Sequence, residues 1–126
     1  MIKKPKKAKP ISYYRNKCDK LYQEIGRKLY SKCILGCHDY STLHHFVKKS
    51  QSTELRYDLQ NGIPICNRHH CSIHQGKDDT VTAKIILIKG KDWFGELMAK
   101  KRQGIGKHYG VGYFKQKLED LKKACE

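Results

Sequence analysis

The segment KCILGCHDYSTLHHFVKKSQSTELRYDLQNGIPICNRHHCSIHQ, which runs from Lys32 to Gln75, decides how this sequence is interpreted. It contains four of the six cysteines and six of the seven histidines in the chain. Thiolate and imidazole groups are the ligands that zinc and related transition metals prefer. Because the segment is also rich in turn residues and gains little from a hydrophobic core of its own, we expect metal ions to organise it.

The cysteine spacing predicts a structural zinc site. Cys33 and Cys37 lie on a short C-x3-C knuckle, and Cys66 and His69 form a second pair with C-x2-H spacing. Four such ligands complete the tetrahedral coordination of a structural zinc ion. Cys71 competes with His69 for the fourth position, and the alternative to any metal site is that the cysteines simply pack in an apolar interior.

The histidines supply ligands for a second site. Adjacent residues on a strand point to opposite sides, so His44 and His45 cannot both bind one metal in the same way. His70 and His74 are spaced i and i+4 and share one face of a helix. This surplus of ligands favours two sites over one. The sequence leaves one register open, because a shift of one position would exchange the roles of three consecutive residues, His69, His70 and Cys71.

The order LHH, NGIPIC, HH and a further histidine resembles the motif of HNH (ββα-metal) endonucleases, in particular the histidine-rich version found in colicin DNases. The resemblance implies an α+β fold, with a small ββα-metal core, a structural zinc knuckle and flanking N-terminal and C-terminal helices. It also implies one catalytic divalent ion (Zn, Ni, Mn, Co or Mg) held by His44, His70 and His74. His45 would be the general base, and Asn61 would orient the hairpin loop and the base.

A longer resemblance, to the phage Rap/NinG recombination endonucleases, rests on three short segments: KPISYYRNK at Lys9–Lys17, ELRYDLQN at Glu54–Asn61 and the C-terminal EDLKKA. It implies a metal-dependent endodeoxyribonuclease that cleaves branched DNA, such as Holliday junctions or D-loops, in phage or prophage recombination inside a bacterial host. The sequence departs from this family in its C-x3-C knuckle, where those proteins carry C-x2-C. It departs from many HNH enzymes at His44, where they carry Asp.

The charge of the chain points to the same partner. Lys and Arg number 27 against 12 acidic residues, which gives a net charge of +15 and favours binding to a polyanion. No code for reading base edges is evident, so we expect recognition of DNA backbone and shape, with strong salt dependence. The predicted phosphate contacts flank the motif, and each is equally consistent with a solvated surface charge. They are Lys48, Lys49, Arg56 and Arg68.

The N-terminal part of the chain is expected to contain a basic arm and a helix. Residues 1–10 hold five lysines and two prolines, a composition typical of disorder. Residues 12–30 predict an amphipathic helix with Ser12 as its N-cap. Its apolar face would comprise Tyr14, Cys18, Leu21, Ile25 and Leu29.

The rest of the chain is expected to complete a single nuclease domain, residues 11–126, with the metal motif at 33–75 and a helical part at 80–126. Within that part, Val81–Ile88 predicts a helix or a strand followed by a helix, and Lys91–Arg102 predicts a helix. A last helix is predicted at Tyr113–Cys125, with its apolar face formed by Phe114, Leu118 and Leu121.

Location and assembly are inferred from what the sequence lacks. No stretch has the apolar length of a membrane span, and the N-terminus lacks the features of a signal peptide, so we expect a cytoplasmic protein with no membrane partner. In that reducing compartment disulfides are not expected, and Cys18 and Cys125 are expected to be ordinary thiols. A homodimer formed through Trp93, Phe94 and Phe114 would suit a symmetric junction, although core packing is the commoner role of such residues.

Two rival interpretations remain at this level. The first is a non-catalytic, zinc-stabilised module that binds DNA or RNA, with every histidine of the motif serving as a structural ligand. The second is a ribosome-associated or RNA-packaging basic protein, which explains the charge but leaves the histidine spacing unexplained. Replacement of His45 alone distinguishes them from a nuclease, because a binding module would lose nothing of consequence.

Overall fold

The computed structural model describes residues 8–76 and 79–126. Within these ranges the chain has an α+β fold, with six α-helices, one 3-10 turn and a two-stranded antiparallel sheet. Most of the expected basic arm, residues 1–7, lies outside the described residues. The elements in order are α1 (Ile11–Leu29), β1 (Thr42–His45), α2 (Thr53–Arg56), the 3-10 turn (Leu59–Asn61), β2 (Gly62–Ile65), α3 (Asn67–His74), α4 (Asp79–Lys89), α5 (Lys91–Gly104) and α6 (Val111–Cys125).

Helix α1 forms where a helix was predicted, but its start and its buried face differ from the prediction. Pro10 occupies the N-cap position and Ser12 lies exposed inside the first turn, so Ser12 is not the cap. Leu29 is 58% exposed. The buried face comprises Cys18, Tyr22, Ile25 and Gly26.

Strands β1 and β2 form a short hairpin that divides the molecule into two apolar cores. The pairing aligns Leu43 with Pro64 and His45 with Gly62. The first core lies on the α4 and α5 side and contains Cys33, Val47, Leu55, Ile63, Ile65, Cys66, Val81, Ile85, Trp93 and Leu97. The second core lies between α1 and α6 and contains Cys18, Tyr22, Ile25, Leu43, Tyr57, Phe114, Leu118 and Leu121.

The C-terminal helices confirm most of the sequence-based prediction. The apolar segment after residue 80 is a single helix, α4, with Val81 and Ile85 buried on one face. Helix α6 buries the predicted face of Phe114, Leu118 and Leu121. Trp93 and Phe114 belong to the two cores and are 9% and 1% exposed, so they do not offer the dimer surface considered from the sequence. None of the described helices is long and apolar enough to span a membrane.

Candidate metal centres and the histidine cleft

The four predicted zinc ligands come together in one cluster, here called the cysteine cluster: Cys33, Cys37, Cys66 and His69. The Sγ atoms of Cys37 and Cys66 are 3.8 Å apart, and His69 Nδ1 lies 3.1 Å from Cys66 Sγ and 3.3 Å from Cys37 Sγ. A tetrahedral zinc ion with bonds of about 2.3 Å to sulfur separates two sulfur ligands by about 3.8 Å. The cysteine cluster therefore has the spacing to hold a structural metal such as zinc.

Local structure explains why the first two ligands converge. Cys33 N–H donates to His38 O (3.0 Å), and Gly36 N–H donates to Cys33 O (2.8 Å), which closes a tight turn around the knuckle. Gly36 has a φ of 72°, a backbone conformation that favours glycine. Ile34 N–H donates to Pro64 O (2.8 Å) and ties the knuckle to β2. The knuckle is thus fixed against the strand that leads directly into the second pair of ligands.

The second pair lies at the start of α3. Cys66 is the N-cap of this helix, and His69 lies within its first turn. Burial alone would raise the pKa of the Cys66 thiol, but the backbone hydrogen bond with His69 and the neighbouring Cys37 outweigh it, so that the pKa is lowered. A thiol that deprotonates readily at a helix N-terminus is a favourable metal ligand.

The structure also fixes the register that the sequence left open. Cys71 is exposed and its Sγ donates to Asn67 Oδ1 (3.7 Å), so it takes no part in the cysteine cluster. His69 and His70 are consecutive on α3 and project about 100° apart. His69 therefore faces the cysteines, and His70 faces the hairpin. His38 lies on the knuckle but is exposed and outside both groups of ligands.

The second group of ligands, here called the histidine cluster, comprises His44, His70 and His74. The Nε2 atoms of His70 and His74 are 2.9 Å apart, and the ring centroid of His44 lies 5.3 Å from that of His70. Two imidazole nitrogens bound at about 2.1 Å to one ion are about 3.0 to 3.4 Å apart, depending on the coordination angle. The donor set and its spacing therefore fit a single ion with three imidazole ligands.

Burial keeps the histidine cluster in the form that binds metal. His44 is 8% exposed, and its burial, together with the neighbouring His70 and His74, lowers its pKa to about 4. Burial and the neighbouring His74 also lower the pKa of His70. Because a histidine coordinates metal only as the neutral imidazole, both residues are ready to bind at neutral pH.

His45 points to the other side of β1, as the alternation of a strand requires. Its ring stacks on Tyr22, with centroids 4.9 Å apart. Its Nε2 lies 2.8 Å from Arg56 O, and because a carbonyl oxygen only accepts, Nε2 carries the proton and donates it. Nδ1 of the neutral ring is then left as the proton acceptor. Burial lowers the pKa of His45 to about 4, the backbone hydrogen bond to Arg56 opposing the shift.

Two side chains of α1 support this arrangement and were not identified from the sequence. Asp19 accepts two hydrogen bonds from the guanidinium group of Arg56, at 3.1 and 2.8 Å. Gln23 binds β1 through the main chain of Leu43, accepting from its N–H and donating to its carbonyl oxygen, both at 3.0 Å. Their only sequence signal is their position on a helix face beside the buried residues. Arg56 is engaged by Asp19 and is not a free phosphate contact.

Asn61 is fully buried beneath the loop that follows β1. Its Oδ1 accepts from Val47 N–H (2.7 Å), and its Nδ2 donates to Val47 O (3.0 Å) and Leu55 O (3.1 Å). These bonds fix the loop from Val47 to Leu55. The next residue, Arg56, accepts the hydrogen bond from His45 through its carbonyl oxygen. The side chain of Asn61 thus orients the hairpin loop directly and reaches His45 through Arg56, while its carbonyl oxygen accepts from the N–H of Phe46, the residue after His45 (3.0 Å).

A cleft of about 490 Å³ brings the histidines together with two of the predicted phosphate contacts. Lys48, Lys49 and Ser50 line the cleft, and the side chains of both lysines are exposed. Arg68 is exposed on α3 but does not line the cleft. The remaining lining residues are Gln23, Thr42, Leu43, His44, His45, His70, Ile73 and His74. A site for a metal ion, a neutral imidazole and two cationic side chains therefore share one opening.

Comparison with known proteins adds no relative to this description. No family model, no curated protein and no solved structure matches this chain.

Proposed function

We propose that this protein is a metal-dependent endonuclease that hydrolyses phosphodiester bonds in DNA. One observation carries the proposal: the histidine cluster and His45 open on the same cleft, and two exposed lysines line that cleft. A purely structural metal site has no need of an additional buried imidazole with a free acceptor nitrogen. Nor does it need cations at its mouth, whereas phosphodiester hydrolysis uses both.

Two lysines and His45 of the cleft have defined parts in this chemistry. Lys48 and Lys49 attract the phosphate and hold it through charge-assisted hydrogen bonds. Nδ1 of His45 accepts a proton from a water molecule as the water oxygen forms a bond with phosphorus. The bond from phosphorus to the 3′ oxygen then breaks, the leaving 3′ oxygen takes a proton from solvent water, and His45 returns its own proton to solvent.

His44, His70 and His74 would hold the divalent ion in this proposal. When bound, such an ion supplies Lewis-acid stabilisation of negative charge on the phosphate and the leaving oxygen. Three imidazoles favour Zn, Ni, Mn or Co over Mg, which prefers oxygen ligands. Three protein ligands also leave coordination positions open, as in catalytic rather than structural sites.

DNA is the proposed substrate because of the charge of the chain. The net charge of +15 suits a polyanion. The cleft is lined by two exposed lysines, and the amide of Gln23, which also lines it, is bonded to the main chain of Leu43. Preference for branched DNA in phage-type recombination is the finer form of the proposal, and it rests on the sequence resemblance alone. The competing possibility, a zinc-stabilised module that only binds nucleic acid, differs in what His45 does.

The test compares wild type with His45→Ala and with the matched control His108→Ala, which removes an exposed histidine outside both clusters. Each zinc-loaded protein is incubated at low salt with supercoiled plasmid and with a synthetic four-way junction, with added Mg, Mn, Ni, Co or Zn. We expect nicking by wild type and the control, a loss of at least about 100-fold in His45→Ala, and unchanged DNA binding. Equal binding with no cleavage by any protein would support the binding module instead.

A further inference from the structure

Tyr13 lies in the first turn of α1, outside the two apolar cores of the described protein. Its partly exposed ring belongs to neither apolar core among the residues at 8–76 and 79–126. Lys9 Nζ and Lys17 Nζ lie 5.2 and 4.7 Å from the ring centroid, and the ring of Tyr14 meets it edge-on at 5.2 Å. An aromatic ring flanked by two cations and absent from both cores is arranged for a ligand rather than for stability.

The neighbouring helix extends this feature. Lys115 of α6 places its Nζ 5.6 Å from the centroid of the Tyr14 ring. In the part of the chain that the structure describes, none of Lys9, Lys17 and Lys115 forms an ion pair with a carboxylate. Their charges are therefore free to meet an external anion. These three lysines with Tyr13 and Tyr14 are here called the tyrosine–lysine surface.

We propose that the tyrosine–lysine surface binds an unpaired strand of the nucleic acid whose duplex part occupies the histidine cleft. The proposal rests on the proposed function, because it takes nucleic acid as the substrate. Aromatic rings interleaved with cations bind single strands, since every base has a face that can stack and every nucleotide has a phosphate. A fully paired duplex keeps the faces of its bases stacked inside, so it offers this surface phosphates but no base face on which to stack.

The position of the surface suits a strand that continues from the cleft. Tyr13 and Gln23 lie ten positions apart on α1, and Gln23 lines the cleft. Ten residues of α-helix span about 15 Å and bring the two side chains to within about 80° of each other around the axis. In a duplex this length covers about four to five base-pair steps. Lys17 and Lys20, both exposed, lie along α1 between these two points.

The contacts seen in the protein are compatible with this exchange of partners. Lys9 and Lys17 rest over the ring through long, flexible side chains that remain exposed. When a base stacks on Tyr13, either ammonium group can move to the adjacent phosphate without leaving the surface. The ring therefore stays covered by a cation in the free protein and by a base in the complex.

The test measures binding by fluorescence anisotropy, with zinc-loaded full-length protein and no other divalent metal added. The probes are a blunt duplex of about 20 base pairs and the same duplex ending in a fork with two single-stranded arms of about six nucleotides. For Tyr13→Ala we expect about five- to tenfold weaker binding to the fork and little change on the duplex. Tyr13→Phe, which keeps the ring, should bind as wild type does.

Lys84→Gln is the matched control, because Lys84 is exposed on α4, far from this surface in the chain. Equal losses on fork and duplex for Tyr13→Ala, or no loss on either, would overturn the proposal. Because the assay needs no cleavage, its result is separable from the proposed nuclease activity. A selective loss on the fork in a protein that cleaves nothing would support this surface and remove the nuclease. If wild type cleaves DNA but Tyr13→Ala shows no selective loss of binding to the fork, the nuclease is supported and this surface is overturned.

Discussion

The cysteine cluster and the histidine cluster share helix α3, but they differ in the number of their ligands and in how many of those ligands are buried. Cys33 and Cys66 are each 3% exposed and form part of the first apolar core. In the histidine cluster only His44 is buried, and His74 is exposed at the mouth of the cleft. Of the other two ligands of the cysteine cluster, Cys37 is exposed and His69 is partly buried. Four protein ligands close a coordination sphere, whereas three at a cleft leave room for a further ligand.

One short helix thus contributes ligands both to a candidate structural site and to the proposed catalytic site. Because consecutive residues on α3 project about 100° apart, His69 turns to the cysteines and His70 to the cleft. A metal ion in the cysteine cluster would fix the start of α3 and thereby the position of His70. The predictions below separate the two clusters, beginning with the largest expected effect.

Loss of a cysteine ligand should have the largest effect on stability. Cys66→Ser removes a buried ligand at the N-cap position of α3, where the thiol makes no capping hydrogen bond. The binding free energy of a structural zinc is largely folding free energy. We expect the variant to lose one zinc ion and at least about 3 kcal/mol of unfolding free energy. Urea unfolding and metal analysis measure both quantities. Cys71→Ser, which changes an exposed thiol outside the cluster, should lie within about 0.5 kcal/mol of wild type.

Loss of a histidine ligand should leave the fold intact and remove activity. His70 is only partly buried and lies outside both apolar cores. We expect His70→Ala to bind one metal ion fewer, to unfold within about 1 kcal/mol of wild type, and to lose at least about 100-fold in cleavage rate. Metal stoichiometry and plasmid nicking provide the measurements. Unfolding of His70→Ala together with loss of both metals would show that the two clusters are not separable.

The sequence predicted the ligands of the two clusters better than the contacts that support them. Ligand spacing identified the cysteine cluster and the pair His70 and His74, because knuckle and i, i+4 patterns are local and depend little on the rest of the fold. His44 was added to that pair only by the resemblance to HNH endonucleases. The supporting contacts are long-range. Asp19 accepts from Arg56, 37 positions away, and Tyr22 of α1 stacks on His45 of β1. No local pattern encodes such pairs. Ser12 was predicted as a cap from residue type alone, and Pro10 holds that position instead.

The buried imidazoles should make stability fall as the solution becomes acidic. The pKa of His45 is lowered from 6.5 to about 4 in the folded protein, so between these values the unfolded chain binds a proton that the folded chain does not. Stability is therefore complete above about pH 6.5 and is lost as pH falls toward 4. For His45 alone the loss is on the order of 2 kcal/mol.

The difference between wild type and His45→Gln isolates this contribution, because the glutamine amide can still donate to Arg56 O and does not titrate. Protonation of groups that do not interact with His45 affects both proteins alike and cancels. We expect the difference in unfolding free energy, measured by urea denaturation, to change by that amount between pH 7 and pH 4.5. A difference that stays constant over this range would mean that His45 is not buried as described.

The smallest effect should come from Asp19, which acts on His45 only through Arg56. The two hydrogen bonds from the Arg56 guanidinium hold the residue whose carbonyl oxygen fixes the tautomer of His45. In Asp19→Asn we expect kcat to fall about tenfold with KM unchanged, because the imidazole loses orientation while the cleft keeps its cations. Asp19→Glu should restore part of the rate, and Glu24→Gln, an exposed change on the same helix, should have none of this effect. If the free energy of unfolding of Asp19→Asn fell by as much as its activation free energy rose, Asp19 would instead be a residue of the fold alone.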